Sequence, residues 1–254
     1  MRKWKLMVTT LPVVFIMLGL KLVIERYMGH PGWVDFSDVS AVLTAGAFLI
    51  GFMLAGTIAD YKESEKLPSE LATTLETIED LIVVSTRKSQ FDSAAARRDL
   101  AAVAERVLEW LSKSAPLESV HRAMDAMNAH FQAMDEAGAT AHANRSLVFM
   151  NAVRRIVGRL DVIERTGFLS SGYAILEVMV AAILLLLLAS RFKTPVAEYT
   201  LVASISLIYV YMLRLIRNID DPFDYGPNLE VRGAAEVELF PLTEYVARAR
   251  ARTL

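Results

Sequence analysis

Four long apolar stretches run through this sequence, and they constrain its fold more than any other feature. They cover residues 6–24, 39–59, 172–190 and 196–213. An α-helix needs about 20 residues to cross the ~30 Å hydrocarbon core of a bilayer, so each stretch is long enough to span a membrane. Residues 182–189 are apolar on every helical face, which is typical of a membrane span rather than of a soluble core helix. The sequence therefore predicts a membrane protein with four transmembrane helices.

The composition indicates that a sizeable part of the chain lies in water. Of the 254 residues, 54% are hydrophobic, yet 22% are charged and the net charge is −2. The charged residues must therefore be concentrated outside the apolar stretches. The chain has no cysteine, which excludes disulfides, thiolate metal sites and cysteine nucleophiles. The balanced charge offers no electrostatic footprint for nucleic acid, so we exclude nucleic acid as a partner.

The apolar stretches divide the chain into four segments. A first transmembrane pair occupies residues 1–59, and a soluble insert follows in 60–167. A second transmembrane pair occupies 168–217, and residues 218–254 form a tail. Helical patterning throughout the insert makes the predicted fold class an all-α membrane protein, with a helical cytoplasmic domain inserted between the second and third spans.

The apolar residues of the insert recur at the spacing of one helix face. The seams are Leu71, Leu75, Ile78 and Ile82, then Leu100, Val103, Val107 and Leu111, then Val120, Met124, Met127, Phe131 and Met134, and finally Phe149, Val153, Ile156, Leu160 and Ile163. Asp92 is placed to cap the second of these helices, and Pro116 is placed to open the third. We expect a helical bundle, because the methionine seam is more typical of a bundle core than of a peptide-binding groove.

The placement of Lys and Arg predicts the orientation in the membrane, because cytoplasmic segments carry an excess of these residues. With the N-terminus inside, the cytoplasm receives Arg2, Lys3, Lys5, the insert and the tail. The outer side then receives the edge at Lys21, which pairs with Glu25 one turn later and can snorkel to the interface. No cleavage site follows the first stretch, so we interpret it as a retained span. We expect a bacterial inner membrane with both termini cytoplasmic.

The sequence contains no motif of covalent catalysis. It lacks the GxGxxG, GxxxxGK[ST], HExxH and GxSxG patterns, so we expect neither an enzyme nor a cofactor. Glu177 keeps a different hypothesis open, because carboxylates inside a membrane span tend to be functional. In an ion-coupled transporter, Glu177 and Glu198 are the coupling carboxylates, and Glu177→Gln abolishes a saturable, pH-dependent flux. A third hypothesis is a membrane-anchored helical scaffold whose insert recruits partners.

The second apolar stretch carries two rows of residues at helical spacing. Small residues repeat every fourth position and would let a neighbouring helix approach closely. This small-residue row consists of Ala47, Gly51, Ala55 and Ala59. Thr44, Phe48 and Phe52 form a second row on an adjacent face. These phenylalanines either pack against lipid and other spans, or ring an axis as a hydrophobic constriction that gates by dewetting.

Two motifs in this arrangement resemble the bestrophin family. Residues 47–52 read Ala-Phe-Leu-Ile-Gly-Phe, and Glu63 and Leu67-Pro68 follow. They resemble the second bestrophin span, in which a Phe-x-Leu-Gly-Phe run lines the pore neck. After the fourth stretch, Asp221-Pro222-Phe223 resembles the Asn-Pro-Phe or Asp-Pro-Phe motif of that family. The order of two spans, helical insert, two spans and tail also matches that family.

The resemblance implies a homo-oligomeric ion channel, pentameric as bestrophins are, in contact with the bilayer and with permeating monovalent ions. It places the pore neck at Thr44, Phe48 and Phe52, although the family commonly has an aliphatic residue where this chain has Thr44. Bestrophins mainly conduct anions, and the positive ring edges of phenylalanine suit a dehydrated anion. Asp60 and Glu63 at the inner mouth oppose this, because rings of carboxylates favour cations. We expect an anion channel that conducts chloride.

The sequence departs from the calcium-binding members of the family. Animal bestrophins bind calcium through an acidic run after the Pro-Phe motif, whereas this chain continues Asp224-Tyr225-Gly226. Asp221 and Asp224 supply too few oxygen ligands for a Ca²⁺ site. We therefore expect no metal site and no calcium gating of the animal type.

Overall fold

The structure is a computed structural model that describes residues 4–28, 32–86, 91–166, 170–233 and 235–253. Arg2 and Lys3, on which the orientation prediction partly rests, lie outside the described residues.

The described part of the chain is built almost entirely from α-helices. In chain order they are α1 (Lys5–Met28), α2 (Phe36–Ser64), α3 (Leu67–Thr86), α4 (Ser93–Leu111), α5 (Leu117–Glu136), α6 (Thr140–Arg165), α7 (Ser170–Ala189), α8 (Pro195–Asp220) and α9 (Phe240–Thr253). Two short strands, β1 (Val34–Asp35) and β2 (Ser190–Arg191), pair in parallel. A 3-10 turn at Pro227–Leu229 precedes α9.

Within the described ranges, four helical segments are long and apolar enough to cross a membrane. They are Lys5–Tyr27, Phe36–Thr86, Ser171–Ala189 and Pro195–Asp220. The predicted fold class, an all-α membrane protein with four spanning helices, is confirmed. The chain divides into two compact units, which we name the membrane unit (residues 1–61 and 167–220) and the insert unit (residues 62–166 and 221–254).

The core of the membrane unit lies between α2, α7 and α8. It consists of Ile50, Met53, Leu176, Val180, Ile183, Leu187, Tyr209, Val210 and Ile216. Gly46 lies at the closest approach of these helices, because a Cβ atom there would lie 2.6 Å from Ile183 Cδ1 and 3.0 Å from Tyr209 Cε1. Helix α1 packs along α8. A small residue at position 46 therefore sets the packing of the membrane unit.

The strand pair ties the start of α2 to the connection between α7 and α8. Trp33 donates its backbone N–H to Ala189 O at 2.8 Å, and Val34 pairs with Ser190. The Arg191 guanidinium lies 2.9 Å from the Asp35 carboxylate. The start of this connection is therefore fixed to the segment that directly precedes α2.

The insert unit is a helical bundle, and the predicted seams of α3, α4 and α5 are all buried. The side chains of Met124, Met127 and Met134 are fully enclosed, so the methionine seam is core. The Asp92 carboxylate caps α4 as expected, because it accepts a hydrogen bond from Ala94 N at 3.0 Å. Pro116 occupies the N-cap position of α5.

The predicted seam of α6 is wrong by one residue at several positions. Met150 and Val157 are fully buried, whereas Phe149 and Ile156 are only half-buried. Phe149 and Met150 are adjacent apolar residues, and so are Ile156 and Val157. Either member of each pair fits the helical spacing of an apolar seam. Packing against α3 and α5 selects between them.

Candidate functional site

Helix α2 has one face inside the membrane unit and one face outside it. Gly46, Ile50, Met53 and Thr57 are buried against the rest of the unit. Successive residues of an α-helix are about 100° apart, so Phe48 lies roughly 160° around the helix from Ile50. This opposite face, which we name the outer face of α2, carries all the residues predicted for the pore neck.

The predicted neck residues are brought into one exposed row. Phe48 is 77% exposed and Phe52 is 68% exposed. Thr44 is also exposed, and its hydroxyl donates to Ser40 O at 2.9 Å within the same helix. Each aromatic ring thus points away from the core of its own chain and is available to a pore or to lipid.

The small-residue row lies on the same outer face. Ala47, Gly51, Ala55 and Ala59 are exposed, and nothing in the described chain lies within 4 Å of a Cβ placed at Gly51. The close helix approach inside the chain uses Gly46 instead, a position that the sequence interpretation missed. The role of this row in helix packing therefore stays a prediction.

The C-terminal end of α2 holds a charge-balanced pair. Two hydrogen bonds of 2.7 Å each join the Glu63 carboxylate to the Arg159 guanidinium of α6. Both side chains are about half exposed, 46% for Glu63 and 42% for Arg159. Asp60 is exposed one turn earlier. The sequence identified the carboxylates at this end but not the guanidinium that neutralises Glu63.

Glu177 lies in an ion pair and not in an apolar cavity. Its carboxylate contacts the Arg217 guanidinium of α8, and the two side chains are 47% and 52% exposed. This ion pair joins α7 to α8.

The motif after α8 anchors the tail within the insert unit. Phe223 is 1% exposed, and Pro222 O accepts a hydrogen bond from Val237 N at 3.0 Å. The Tyr225 hydroxyl donates to Val237 O, which closes a compact turn over the same segment. Asp221 is exposed. The motif therefore supplies a buried aromatic anchor.

Among the described residues, no group of three or more His, Asp or Glu side chains is placed to hold a metal ion. Asp224, one of the two carboxylates considered for calcium, lies 3.6 Å from the Arg232 guanidinium.

The alternating arginines of the tail lie on α9, and they form ion pairs with acidic residues of α3 and α4. Arg250 contacts Glu105 at 2.7 Å, Arg252 contacts Glu79 at 2.8 Å, and Arg248 contacts Glu76. On the buried face of α9, burial and the negative charge of Glu79 raise the pKa of the Tyr245 hydroxyl. The arginine alternation is visible in the sequence, but its acidic partners lie far along the chain.

Lys21 was expected to snorkel to the membrane interface, but its side chain is buried. Its side chain is 1% exposed, and its Nζ lies 2.8 Å from the Glu198 carboxylate of α8. The i,i+4 spacing to Glu25 gave no sign of this long-range partner. A lysine in a membrane span is therefore part of the packing between α1 and α8.

No protein-family model and no curated protein matches this chain. Solved structures, however, match its fold over nearly its full length. A bacterial bestrophin homolog from Klebsiella pneumoniae matches with a TM-score of 0.78 and 14% identity, over 97% of this chain and 98% of that one. A variant of that homolog gives 0.79 and 14%, over 98% of both chains. A structure described as a membrane protein variant gives 0.80 and 14%, over 97% and 98%. This chain therefore has the fold of the bacterial bestrophin homologs, as the resemblance in its sequence predicted.

Proposed function

We propose that this protein is a homo-oligomeric ion channel, pentameric as bestrophins are, whose pore is lined by the outer face of α2. The observation that carries the proposal is the exposed row of Phe48 and Phe52, on the face of α2 that is turned away from the core of its own chain. The fold shared with bacterial bestrophin homologs supports the assignment. Permeation is passive, down the ion gradient, and no covalent step is involved.

The outer face of α2 has the properties needed by a helix that repeats around an axis. The small-residue row would let α2 helices of neighbouring copies approach closely. The adjacent aromatic row would then point towards the axis, where a ring of phenylalanines forms a hydrophobic constriction. A constriction of this kind holds water poorly, and it therefore limits ion flow. Thr44 would supply the first turn of the neck.

We propose that the channel prefers anions and conducts chloride. Arg159 compensates the Glu63 charge at the inner end of α2, so this carboxylate does not act as an isolated negative group. The positive edges of the phenylalanine rings favour an anion that sheds water in the neck. Both effects favour anions, whereas the negative charge of Asp60 favours cations.

We also propose the cellular arrangement of the chain. Residues 1–59 and 168–217 form the membrane pairs, and residues 60–167 and 218–254 lie in the cytoplasm of a bacterial cell. The Lys and Arg distribution supports this orientation. Glu177, the residue of the transporter hypothesis, is held by Arg217 in a partly exposed ion pair, so its position favours a structural role.

Removal of the aromatic rings tests the neck directly. In planar bilayers, the double variant Phe48→Ala, Phe52→Ala should raise the open conductance, because a wider constriction holds water more readily. The matched control is Phe15→Ala, which removes a ring that is 67% exposed on α1. An unchanged conductance in the double variant, or an equal rise in the control, would contradict the neck assignment.

A further inference from the structure

A cavity lies in the membrane unit where the α7–α8 connection meets the start of α2. Its volume is about 570 Å³, within the ~300–1,000 Å³ that is typical of small-molecule sites. The lining combines the charged side chains of Asp35, Arg191 and Lys193 with the apolar side chains of Ala197 and Leu201 on α8. An occupant of this cavity therefore needs both a charged part and an apolar part.

The charged part of the lining has an excess of positive charge, because two cations face one carboxylate. Arg191 donates twice to Asp35 Oδ1, from Nε at 3.1 Å and from Nη2 at 2.9 Å. A guanidinium has further N–H groups, so donors remain for an anion. Lys193 is exposed, and among the described residues no carboxylate lies within ion-pair distance of it. The lining therefore suits a group with a net negative charge.

Two aromatic rings form a further wall of the cavity. The rings of Phe36 and Phe192 are stacked, with their centres 4.9 Å apart. The buried Lys21 ammonium lies 5.4 Å from the centre of the Phe192 ring and donates to Ser190 O at 2.5 Å. Contacts to α1 and to the start of α2 thus fix the position of this wall.

The cavity extends from the level of the lipid headgroups into the level of the acyl chains. Residues 191–193 lie between the spanning segments that end at Ala189 and begin at Pro195, and the ends of spanning segments lie at the headgroup level. Trp33, beside the cavity, is 60% exposed, as is typical of aromatic residues at a membrane interface. Leu201 lies about 9 Å further along α8 than Pro195, at the depth of the acyl chains.

We propose that this cavity binds a phospholipid whose headgroup carries a net negative charge. Arg191 and Lys193 contact the phosphate oxygens, and one acyl chain begins along Ala197 and Leu201. The excess positive charge discriminates against a zwitterionic lipid, because the ammonium group of that lipid cancels the charge of its phosphate. A free anion would use only the charged part of the lining, whereas a phospholipid uses both parts. The inference concerns the membrane unit and holds whether or not the protein conducts ions.

Native mass spectrometry of the full-length protein, purified in detergent and stripped of lipid, measures the binding. The probes are phosphatidylglycerol and phosphatidylcholine with the same acyl chains. Phosphatidylglycerol should bind about fivefold more tightly, the ratio that corresponds to one favourable contact between exposed charges. Equal affinity for the two lipids would overturn the proposal.

Removal of the exposed lysine tests the charged part of the site. Lys193→Gln should weaken the binding of phosphatidylglycerol by up to about fivefold and should leave the binding of phosphatidylcholine unchanged. The matched control is Arg26→Gln, because Arg26 is an exposed cation near the end of α1 that does not line the cavity. The end of α1 lies near the same connection, since Tyr199 of α8 donates to Glu25 Oε2 at 2.6 Å. An equal loss of binding in the two variants would indicate general attraction to the surface charge and would overturn the site.

A large side chain in the cavity tests the apolar part without a change of charge. Ala197→Trp should abolish the preference for phosphatidylglycerol, because the indole ring takes the place of the acyl chain. Val196→Trp is the control, since the adjacent Val196 is 78% exposed and does not line the cavity. A preference that persists in Ala197→Trp would show that the lipid binds elsewhere.

Competition with inorganic phosphate distinguishes a lipid from a free anion. Millimolar phosphate should leave phosphatidylglycerol bound, because phosphate makes no contact with Ala197 or Leu201. Displacement of the lipid by phosphate would overturn the phospholipid and identify the cavity as a site for a free anion.

Discussion

At the scale of single residues, the charge at the C-terminal end of α2 depends on Arg159 as much as on Glu63. The two side chains form a bidentate pair with contacts of 2.7 Å. In the proposed oligomer, a ring of such pairs would present little net charge to a permeating ion. Without the guanidinium, the same ring would present one uncompensated carboxylate from each chain and would attract cations.

We therefore predict that Arg159→Gln lowers the preference for chloride over potassium. An exposed ion pair contributes up to ~1 kcal/mol, which corresponds to a change of up to about fivefold in the permeability ratio. The measurement is the reversal potential in a KCl gradient. Arg154→Gln is the control, because Arg154 lies on the same helix and pairs with Asp125 on α5. Equal shifts in the two variants would refute a specific role for the Glu63–Arg159 pair.

At the scale of elements, the segment after α8 is anchored by buried aromatic side chains, of which Phe223 belongs to the Pro-Phe motif. Phe223 is 1% exposed in the insert unit. We predict that Phe223→Ala lowers the free energy of unfolding of the insert unit by about 3–5 kcal/mol, because it leaves a cavity in a packed core.

Chemical denaturation followed by circular dichroism measures this loss. The control is Phe240→Ala, at the first residue of α9, where the ring is 59% exposed. The control should change stability by less than about 0.5 kcal/mol, as substitutions on exposed surfaces usually do. A loss in Phe223→Ala as small as that of the control would show that the motif does not anchor the tail.

The elements that the sequence predicted well are those with a single possible apolar seam. Most seam residues of α3, α4 and α5 are separated by polar or small residues, so periodicity determines their buried face. In α6, adjacent apolar residues such as Phe149 and Met150 allow two seams, and tertiary packing decides between them. Helix α9 was not predicted, because its arginines gain their partners only when the tail meets α3 and α4.

The same limit applies to the candidate site. The rows on α2 follow from spacing within one helix, and the structure places both on one exposed face. Lys21 was predicted at the interface because its local partner, Glu25, is one turn away. Its buried contacts come from Leu188, Ser190 and Glu198, and no local pattern links these residues to α1.

At the scale of the whole molecule, the outer face of α2 is exposed, and in the proposed oligomer it contacts neighbouring copies. If the small-residue row receives the α2 helix of a neighbouring copy, a large side chain at its centre prevents the approach. We predict that Gly51→Leu shifts the purified protein from a pentamer towards smaller species.

Native mass spectrometry or light scattering in detergent measures this shift. Gly19→Leu is the control, because Gly19 is exposed on α1. As at Gly51, no atom lies within 4 Å of a Cβ placed at this position. A Gly51→Leu protein with the same mass as the wild type would contradict contact between α2 helices through this row.

The central claim is that an oligomer of this chain conducts ions through a pore lined by α2. Its most direct test is the reversal potential of the purified wild-type protein in a planar bilayer under a KCl gradient. The account predicts a reproducible current whose reversal potential lies on the chloride side of zero. A reversal potential on the potassium side would contradict the proposed anion preference and leave the channel intact. The absence of current at both polarities and in several lipid compositions would contradict the channel itself.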